Sequence, residues 1–278
     1  MTIEQKFKAT VALIEQAGHK AFEYFDGDDT ANELKRDGSV VTAIDKAIEE
    51  DLVAFIREVF PGDSILAEEG TGYEGDSGFV WHIDPIDGTD NFLRKVPFCA
   101  VSVARLGDSA EDSFGIVHNP ITKQTYAALM ENGVYEREKI HVMNTDTLGG
   151  RAVISIGRGR DYWMKSASYN LQKSLGTTFG KCTVYNCTAL ELAYIATNRI
   201  DGFLIFGLHT WDYAAGLYLV KASGGIISVY EENGWQEWTG SIKELCSRHD
   251  RTIFASHAGI HEKALEHIKN PRAWSDEK

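Results

Sequence analysis

Apolar side chains recur at helical spacing twice in the first sixty residues of the chain. The pattern predicts one helix from residue 3 to about residue 25 and a second over residues 44–59, which Pro61 and Gly62 end. Thr42 is a good N-cap for the second helix, and Asp45 falls in its first turn, where a negative charge is favourable. The polar residues 26–40 between these helices predict an exposed loop or hairpin.

Short apolar or alternating runs follow and predict a sheet in the first half of the chain. The runs lie at residues 64–67, 79–83, 100–105, 114–118, 124–130, 134–135 and 139–142. Asn132 and Gly133 predict a hairpin turn between two of these strands. The composition becomes polar at residues 143–150, which indicates a boundary between two subdomains.

Strands and helices alternate in the second half of the chain. Predicted strands are residues 152–156, 178–185, 201–206, 226–229 and 252–256, and predicted helices are residues 160–175, 189–197, 213–222 and 258–269. Residues 271–278 read as a frayed polar tail. This alternation is typical of a mostly parallel or mixed sheet, so the chain as a whole belongs to the α+β or α/β class.

Composition narrows the functional classes. A net charge of −13 over 278 residues disfavours nucleic acid and anionic membranes as partners, because both require a cationic surface. The four cysteines form no Cys-x-x-Cys pair and have no zinc spacing, which indicates reduced thiols in a cytoplasmic protein. No signal peptide and no apolar run of membrane-spanning length is visible.

The segment Trp81–Phe92 carries the strongest chemical signal. Asp84 and Asp87 follow an apolar strand, and Pro85 is expected to end that strand because proline cannot continue its ladder. Two carboxylates this close repel each other unless a cation lies between them, and Mg²⁺ prefers such oxygens. A solvated turn is the alternative. Further acidic side chains, Glu68-Glu69 and Asp212, follow other predicted strands, where solvation or helix capping are the alternative explanations.

This segment resembles the signature of the inositol monophosphatase family, a Mg²⁺-dependent, lithium-sensitive group of small-molecule phosphatases. The similarity continues through Val96–Ser102, and two further matches are Leu66–Gly70 and Trp211–Gly216. It spans roughly residues 5–260 and implies a layered αβαβα sandwich of the sugar-phosphatase type. It also implies a homodimer. We expect a single catalytic unit over residues 1–278, which the polar stretch divides into subdomains 1–145 and 146–278.

The resemblance assigns a role to each matching residue. The implied metal ligands are Glu68, Asp84, the Ile86 carbonyl, Asp87 and Asp212, for two or three Mg²⁺ ions with Mn²⁺ as a substitute. The implied catalytic residues are Glu68 and Thr89, which orient the attacking water, and Asp45, which supports a weaker third ion. The implied substrate-binding residues are Gly88, Thr89, Asp87 and Asp212. Lys35 would lie in a mobile flap beside the metal site.

Three positions depart from the family pattern and leave the substrate open. Ile205 stands where members that act on inositol phosphate carry a carboxylate, residues 186–188 replace a Gly-Ser/Thr-Ala stretch, and Asp90 adds a negative charge. The resemblance implies a small phosphorylated metabolite as the substrate. Inositol monophosphate, histidinol phosphate, fructose 1,6-bisphosphate, another sugar phosphate and a nucleotide 2′- or 3′-phosphate all remain open. A non-catalytic regulator that binds Mg²⁺ or a phospholigand, and a metal-free acidic domain, are the rival classes.

Overall fold

The computed structural model describes residues 1–27, 32–34, 40–136, 139–143 and 151–275. Lys35 of the predicted flap and residues 144–150 of the predicted subdomain boundary lie outside the described residues. No described helix is both long enough and apolar enough to cross a lipid bilayer.

The first half of the chain forms two long helices followed by a series of strands. Its elements in chain order are α1 (Ile3–Asp26), β1 (Asn32–Leu34), β2 (Val40–Thr42), α2 (Ala43–Val59), β3 (Ser64–Ala67), β4 (Val80–Asp87), α3 (Thr89–Leu93), β5 (Ala100–Leu106), β6 (Phe114–Asn119), β7 (Gln124–Leu129), β8 (Val134–Glu136) and β9 (Lys139–His141).

The second half alternates between strands and helices, as the sequence pattern predicted. Its elements are β10 (Val153–Ile156), α4 (Tyr162–Phe179), β11 (Lys181–Thr183), α5 (Thr188–Ala196), β12 (Gly202–Phe206), α6 (Thr210–Ala222), β13 (Ile226–Glu231), β14 (Gly234–Glu237), α7 (Ile242–Leu245), β15 (Thr252–Ser256), α8 (His261–Ile268) and a 3-10 helix (Pro271–Trp274).

Apart from the β1–β2 hairpin, the described strands form two large sheets. The first sheet runs in the order β3-β4-β5-β6-β7-β8-β9, and its pairs are antiparallel except for β3 with β4. The second sheet runs in the order β11-β10-β12-β15-β13-β14 and is mixed, because β10 pairs in parallel with β11 and β12 while β15 runs antiparallel to its neighbours.

The buried side chains divide the fold into five layers. Helices α1 and α2 cover one face of the first sheet, where Ile14 and Leu52 pack with Val101 and Val103. Helices α5 and α6 lie between the two sheets. Helices α4 and α8 cover the outer face of the second sheet. Because neighbouring residues of a strand face opposite sides, each sheet contributes to two cores. The predicted αβαβα sandwich is confirmed.

Both N-terminal helices match their predictions. Helix α2 begins after Thr42, whose side chain accepts from the Asp45 amide, and the Asp45 carboxylate accepts from the Thr42 amide in return. Such a capping box satisfies backbone donors that the first helical turn would leave without partners. The predicted N-cap role of Thr42 is therefore confirmed, and Asp45 completes the same cap from the third helical position.

The central strand differs from its prediction. Strand β4 does not end at Ile83 but continues through Pro85 to Asp87, and its pairing with β5 shifts register between Asp84 and Asp87. The irregularity leaves Pro85 outside the ladder, so its missing N–H costs no hydrogen bond. Both aspartates consequently lie on the strand itself rather than on a turn after it.

The C-terminal segment also differs from its prediction. Residues 271–274 are not frayed: Pro271 is buried, and the Trp274 indole donates to the Ile268 carbonyl at 3.2 Å. Helix α8 begins three residues later than expected, strand β11 is shorter than the predicted strand over residues 178–185, and β14 and α7 were not predicted. Sparse apolar residues in these short elements give little periodicity to detect.

Replacing glycine with alanine should have opposite effects on stability at two helical positions, Gly216 at the contact between α5 and α6 and Gly176 on α4. A Cβ on Gly216 of α6 would lie 2.5 Å from the Leu192 Cβ, whereas a Cβ on Gly176 of α4 would lie 3.6 Å from the Cys182 Cβ. We expect Gly216→Ala to lower the free energy of unfolding by about 1–3 kcal/mol through overpacking. Gly176→Ala should raise it by about 0.5–1 kcal/mol through helix propensity.

Urea unfolding of both variants followed by circular dichroism measures the two free energies. A Gly216→Ala variant as stable as the Gly176→Ala variant would contradict the tight α5–α6 contact.

Candidate active site

Asp84 and Asp87 lie at the buried end of β4. Asp84 is 2% exposed and Asp87 is 9% exposed. Burial, followed by the charges of Glu68, Asp87 and Asp212, raises the pKa of Asp84 well above its usual range. The Asp84 Oδ1 atom is buried and finds no hydrogen-bond partner among the described residues. This end of β4 therefore favours a positive charge next to its carboxyl groups.

Glu68 reaches this cluster from the end of β3. Its amide donates to the Ile83 carbonyl at 3.1 Å, and its side chain forms a hydrogen bond with Asp84. The turn that follows is held by a buried glutamate of α2, because the Glu49 carboxylate accepts from the amides of Glu69 at 2.7 Å and Thr71 at 2.9 Å. Glu49 thereby fixes the chain direction after Glu68, a role that the sequence pattern did not reveal.

Asp87 connects the first sheet to the helix layer between the sheets. Its Oδ2 accepts from the Ala189 amide at 2.6 Å, in the first turn of α5, and from the Cys187 thiol at 3.3 Å. Burial and the charge of Asp212 raise the pKa of Asp87 well above its usual range, although the donors from Ala189 and Cys187 counteract this. The N-terminus of α5 therefore stabilises the negative charge of Asp87, which the neighbouring carboxyl groups destabilise.

Asp212 occupies a different helix position from the one predicted. The N-cap of α6 is His209, and Asp212 is the third helical residue, whose Oδ2 accepts from the His209 amide at 3.0 Å. The His209 ring stacks on Trp211 with centroids 4.3 Å apart and also contacts the Arg160 guanidinium. Asp212 still caps the helix, but as the second member of a capping box.

A buried histidine fixes the start of α6 against β4. His82 Nδ1 lies 3.0 Å from the Thr210 hydroxyl oxygen. Burial, with a smaller effect of the His249 charge, lowers the pKa of His82 to about 4. The imidazole is therefore neutral at pH 7 and holds α6 in register with the strand that carries Asp84.

Gly88 and Thr89 form the entry to the short helix α3. Gly88 has a φ of +84°, and a Cβ there would lie 3.1 Å from the carbonyl oxygens of Asn186 and Phe98. Only glycine tolerates both the left-handed backbone and this close approach. The Thr89 hydroxyl donates to the Ile86 carbonyl at 3.0 Å, so the two predicted site residues are already in contact.

Asp45 lies on the α2 side of the same region. It is 1% exposed, and its charge, together with that of Asp87, contributes to the raised pKa of the buried Cys99 thiol, after the larger effect of burial. Asp45 and Asp87 are therefore both close to Cys99. The structure thus brings the predicted site residues that it describes toward the end of β4, with Asp45 approaching from the outer helix layer.

The side chains of this cluster fit a hard divalent cation. Four carboxyl groups from three segments, the end of β3, β4 and α6, supply oxygen donors, and the repulsion among them, seen in the raised pKa of Asp84, would be relieved by a cation. Among the described residues, no group of three Asp, Glu, His or Cys side chains has its ligand atoms already placed to coordinate a metal ion. A hydrogen bond joins the Glu68 side chain to Asp84, and it contributes to the raised pKa of Asp84 after burial and the neighbouring charges.

The cluster opens into a cleft of about 430 Å³. Glu68, Asp87, Gly88, Thr89 and Asp212 line one part of it. The described wall also carries cations that the sequence patterns did not single out, on Arg158 and Lys165. The cleft is large enough for a small phosphorylated metabolite.

Of the positions that depart from the family pattern, one is buried in the core and others line the cleft. Ile205 is fully buried in the core between the sheets and does not line the cleft. Asn186 and Thr188 line the cleft, and Asn186 adopts a left-handed φ of 58°. Asp90 is exposed at the cleft wall. A hydroxyl-binding carboxylate is therefore absent from position 205, and the loop before α5 takes part in the wall.

Glu191 is a second buried glutamate that the sequence patterns did not reveal. It is 1% exposed, and its carboxylate accepts from the amides of Tyr185 at 3.4 Å and Cys187 at 3.3 Å and from the Ser155 hydroxyl. It thus holds the loop whose next residues contact Asp87. Burial raises the pKa of Glu191 to about 7, although these donors counteract the effect.

Known proteins resemble this chain along most of its length. It is 31% identical to the Nus factor SuhB of Escherichia coli (strain K12) over 241 residues. This match covers 84% of this chain and 87% of that protein. It is 30% identical over 220 residues to the fructose-1,6-bisphosphatase/inositol-1-monophosphatase of Thermotoga maritima, with 79% and 82% covered. A solved Thermotoga maritima IMPase has the same fold, with a TM-score of 0.78 at 24% identity over 95% of this chain and 96% of that chain.

Fold and relatives together define the class of the protein as a phosphoric monoester hydrolase that acts on small phosphorylated metabolites. The model of the inositol monophosphatase family matches residues 3–272, and the chain belongs to that family. The resemblance seen in the sequence motifs is confirmed.

The raised pKa of Glu191 predicts a specific dependence of stability on pH. A carboxyl whose pKa rises from 4.5 to about 7 on folding stabilises the folded state below pH 4.5, and this contribution is lost as the pH rises through 7. The loss corresponds to about 3 kcal/mol. We expect the stability of the wild type, relative to Glu191→Gln, to fall by up to that amount between about pH 5 and pH 8.

Urea unfolding at several pH values measures this difference. Glu262→Gln, at an exposed position of α8, is the matched control and should leave the pH dependence of the wild type in place. Parallel pH profiles for wild type and Glu191→Gln would show that Glu191 does not titrate in this range.

Proposed function

We propose that the protein is a Mg²⁺-dependent phosphatase that hydrolyses a small phosphate monoester by direct attack of water. The observation that carries the proposal is the buried position of Asp84, whose pKa is raised by burial and by three neighbouring carboxyl groups. Four carboxyl groups converging on a cleft next to Gly88 and Thr89 provide both a cation site and a place for phosphate.

Two sets of side chains would hold the cations. Glu68, Asp84 and the Ile86 carbonyl would hold one ion, and Asp84, Asp87 and Asp212 a second, with Asp45 and Glu68 beside a weaker third site. Such ions, when bound, lower the pKa of water and neutralise the charge on the leaving oxygen. Mg²⁺ suits these oxygen donors, and Mn²⁺ would substitute for it.

The chain itself would position the nucleophile and the phosphate. Glu68 would take the one proton that the attacking water loses. The Thr89 hydroxyl, which donates to the Ile86 carbonyl, would accept a hydrogen bond from the O–H that the water keeps. The backbone amides of Gly88 and Thr89 would receive the phosphate oxygens. Phosphoryl transfer gains most from positioning and charge neutralisation, so these residues need no covalent intermediate.

The substrate is proposed only to the level of a small phosphate monoester. Position 205 carries a buried isoleucine and not the carboxylate that would bind inositol hydroxyls. This difference argues against inositol monophosphate as the preferred substrate. The Thermotoga maritima relative is named for both fructose 1,6-bisphosphate and inositol 1-phosphate. Histidinol phosphate and nucleotide phosphates complete the set to be assayed.

The family resemblance supports further features of this proposal. They are lithium sensitivity, a homodimer, and one catalytic unit with subdomains 1–145 and 146–278. The core between the sheets supports a single unit, because Ala104 and Tyr126 of the first sheet pack there with residues of α5, α6 and the second sheet. The four free cysteines are consistent with the proposed cytoplasmic location.

A second candidate function is that of a non-catalytic regulator that binds a phospholigand on the same fold. The observation that favours it is the name of the Escherichia coli relative, which is that of a Nus factor rather than an enzyme. Phosphate release distinguishes the two candidates directly, since a regulator would bind the ligand without turning it over.

The deciding experiment is phosphate release with Mg²⁺ and with EDTA from inositol 1-phosphate, histidinol phosphate, fructose 1,6-bisphosphate and adenosine 3′,5′-bisphosphate. We expect Mg²⁺-dependent turnover that Asp84→Asn lowers by about a thousandfold or more, because the cluster loses a ligand. Mg²⁺ should also raise the melting temperature of the wild type but not of this variant. Asp90→Asn, at an exposed carboxyl of the same cleft, is the control.

The folding of each variant is checked by circular dichroism. Metal-free Asp84→Asn should melt no lower than the wild type, because it loses a charge that its neighbours repel. Full turnover in Asp84→Asn would exclude the metal assignment, and binding without any turnover by the wild type would establish the regulator.

A further inference from the structure

We propose that Asn91 is a positioning residue for the phosphatase reaction, because its side-chain amide fixes the backbone of Gly88 and Thr89 relative to the carboxyl cluster. This inference rests on the proposed function, in which that backbone would receive the phosphate, and adds a residue to it. Asn91 lies on α3 and does not line the cleft, so it would act on the reaction only through its neighbours.

The Asn91 side chain donates to backbone carbonyl groups of two other segments. Its Nδ2 atom lies 2.9 Å from the Phe98 carbonyl oxygen and 2.7 Å from the Tyr185 carbonyl oxygen. The Asn186 carbonyl oxygen is 3.5 Å away. A side-chain amide has two N–H donors, so the two shorter bonds use both of them. This position therefore requires a donor, which neither a carboxylate nor an apolar side chain supplies.

The same carbonyl groups border Gly88. A Cβ on Gly88 would lie 3.1 Å from the carbonyl oxygens of Phe98 and Asn186. One turn of α3 joins Gly88 to Asn91, and within it the Phe92 amide donates to the Gly88 carbonyl at 3.0 Å. Asn91 therefore fixes how closely the entry of α3 approaches these carbonyl groups, and with it the direction of the amides at that entry.

The loop that Asn91 holds also contacts the carboxyl cluster. On the other side of this loop, the Glu191 carboxylate accepts from the amides of Tyr185 at 3.4 Å and Cys187 at 3.3 Å. The Cys187 thiol in turn donates to the Asp87 Oδ2 atom at 3.3 Å. Asn91 and Asp87 are thus connected through one loop, whose carbonyl groups and amide groups both have side-chain partners.

Alignment at the entry of α3 should matter more in the transition state than in substrate binding. Phosphoryl transfer depends mainly on positioning and charge stabilisation, and a displacement of about 1 Å can cost about a hundredfold in rate. Misaligned amides lose their contacts with the phosphoryl group in transit, while the other contacts of the bound substrate remain. Loss of the Asn91 amide should therefore lower kcat more than it raises KM.

The test replaces Asn91 with two side chains of similar size that lack a donor, in the charged variant Asn91→Asp and the neutral variant Asn91→Leu. We expect each to lower kcat by about ten- to a hundredfold for the best substrate of the phosphate-release panel, with KM changed by less than about threefold. The dissociation constant of orthovanadate, which mimics the phosphoryl group in the transition state, should rise about as much as kcat falls.

Asn170→Asp is the matched control, because the Asn170 Nδ2 atom also donates to a backbone carbonyl, that of Trp274 at 2.7 Å, and Asn170 does not line the cleft. This control should lower the melting temperature as the Asn91 variants do, since it too leaves a carbonyl without its donor. It should leave kcat and the orthovanadate constant unchanged. Asn91→Ser, which keeps one donor, replaces any Asn91 variant that circular dichroism shows to be unfolded.

The outcomes separate this inference from the proposed function. An unchanged kcat in folded Asn91→Asp and Asn91→Leu would overturn the inference and leave the phosphatase standing. A loss confined to Asn91→Asp would also overturn it, since the added charge would then be the cause. Release of no phosphate by the wild type would overturn the proposed function.

Calorimetric titration with orthovanadate in Mg²⁺ decides the inference in that last case. Weaker binding to Asn91→Leu than to the wild type and Asn170→Asp supports the positioning role, and equal or absent binding overturns it.

Discussion

Mutual repulsion among buried carboxyl groups is the constraint on which this structure depends. Asp84 and Asp87 lose solvation at the end of β4, and each also meets the charge of Asp212. Burying such charges without partners is costly, so the fold must offset the repulsion locally. It does so with the α5 N-terminus at Asp87 and a hydrogen bond between Glu68 and Asp84. The repulsion that is not offset makes the cluster attractive to cations. Divalent cations are the groups that activate water and neutralise charge in phosphate-ester hydrolysis.

The rigidity of the cluster comes from groups that do not belong to it. Glu49 and Glu191 are buried carboxylates, and each accepts two backbone amides of a turn next to the site. A carboxyl group that accepts from two amides of one turn restricts the conformation of that turn. The layers contribute as well, since α6 lies between the two sheets and is tied to β4 by His82. The geometry at the cleft is therefore a property of the whole sandwich.

The sequence predicted the local features well because their causes are local. The α2 capping box lies within four residues, and the apolar runs of the strands are short-range patterns. The features that it missed depend on partners far along the chain: Asp87 and Ala189 are 102 residues apart, and Glu49 and Thr71 are 22 apart. The course of β4 past Pro85 depends on a bulge against β5, which no periodicity within β4 reveals.

The carboxyl cluster and the loop of Arg158 belong to different layers of this fold. Asp84 and Asp87 lie on the first sheet, and Asp212 lies on a helix of the inner layer. The loop of Arg158 instead follows a strand of the second sheet, and Gly159 within it packs against Met164 and Phe206 of the outer core. Changes in that outer core can therefore reshape the Arg158 side of the cleft while the carboxyl cluster keeps its supports. A single arrangement of carboxylates can thus serve phosphate esters that differ in the remainder of the molecule.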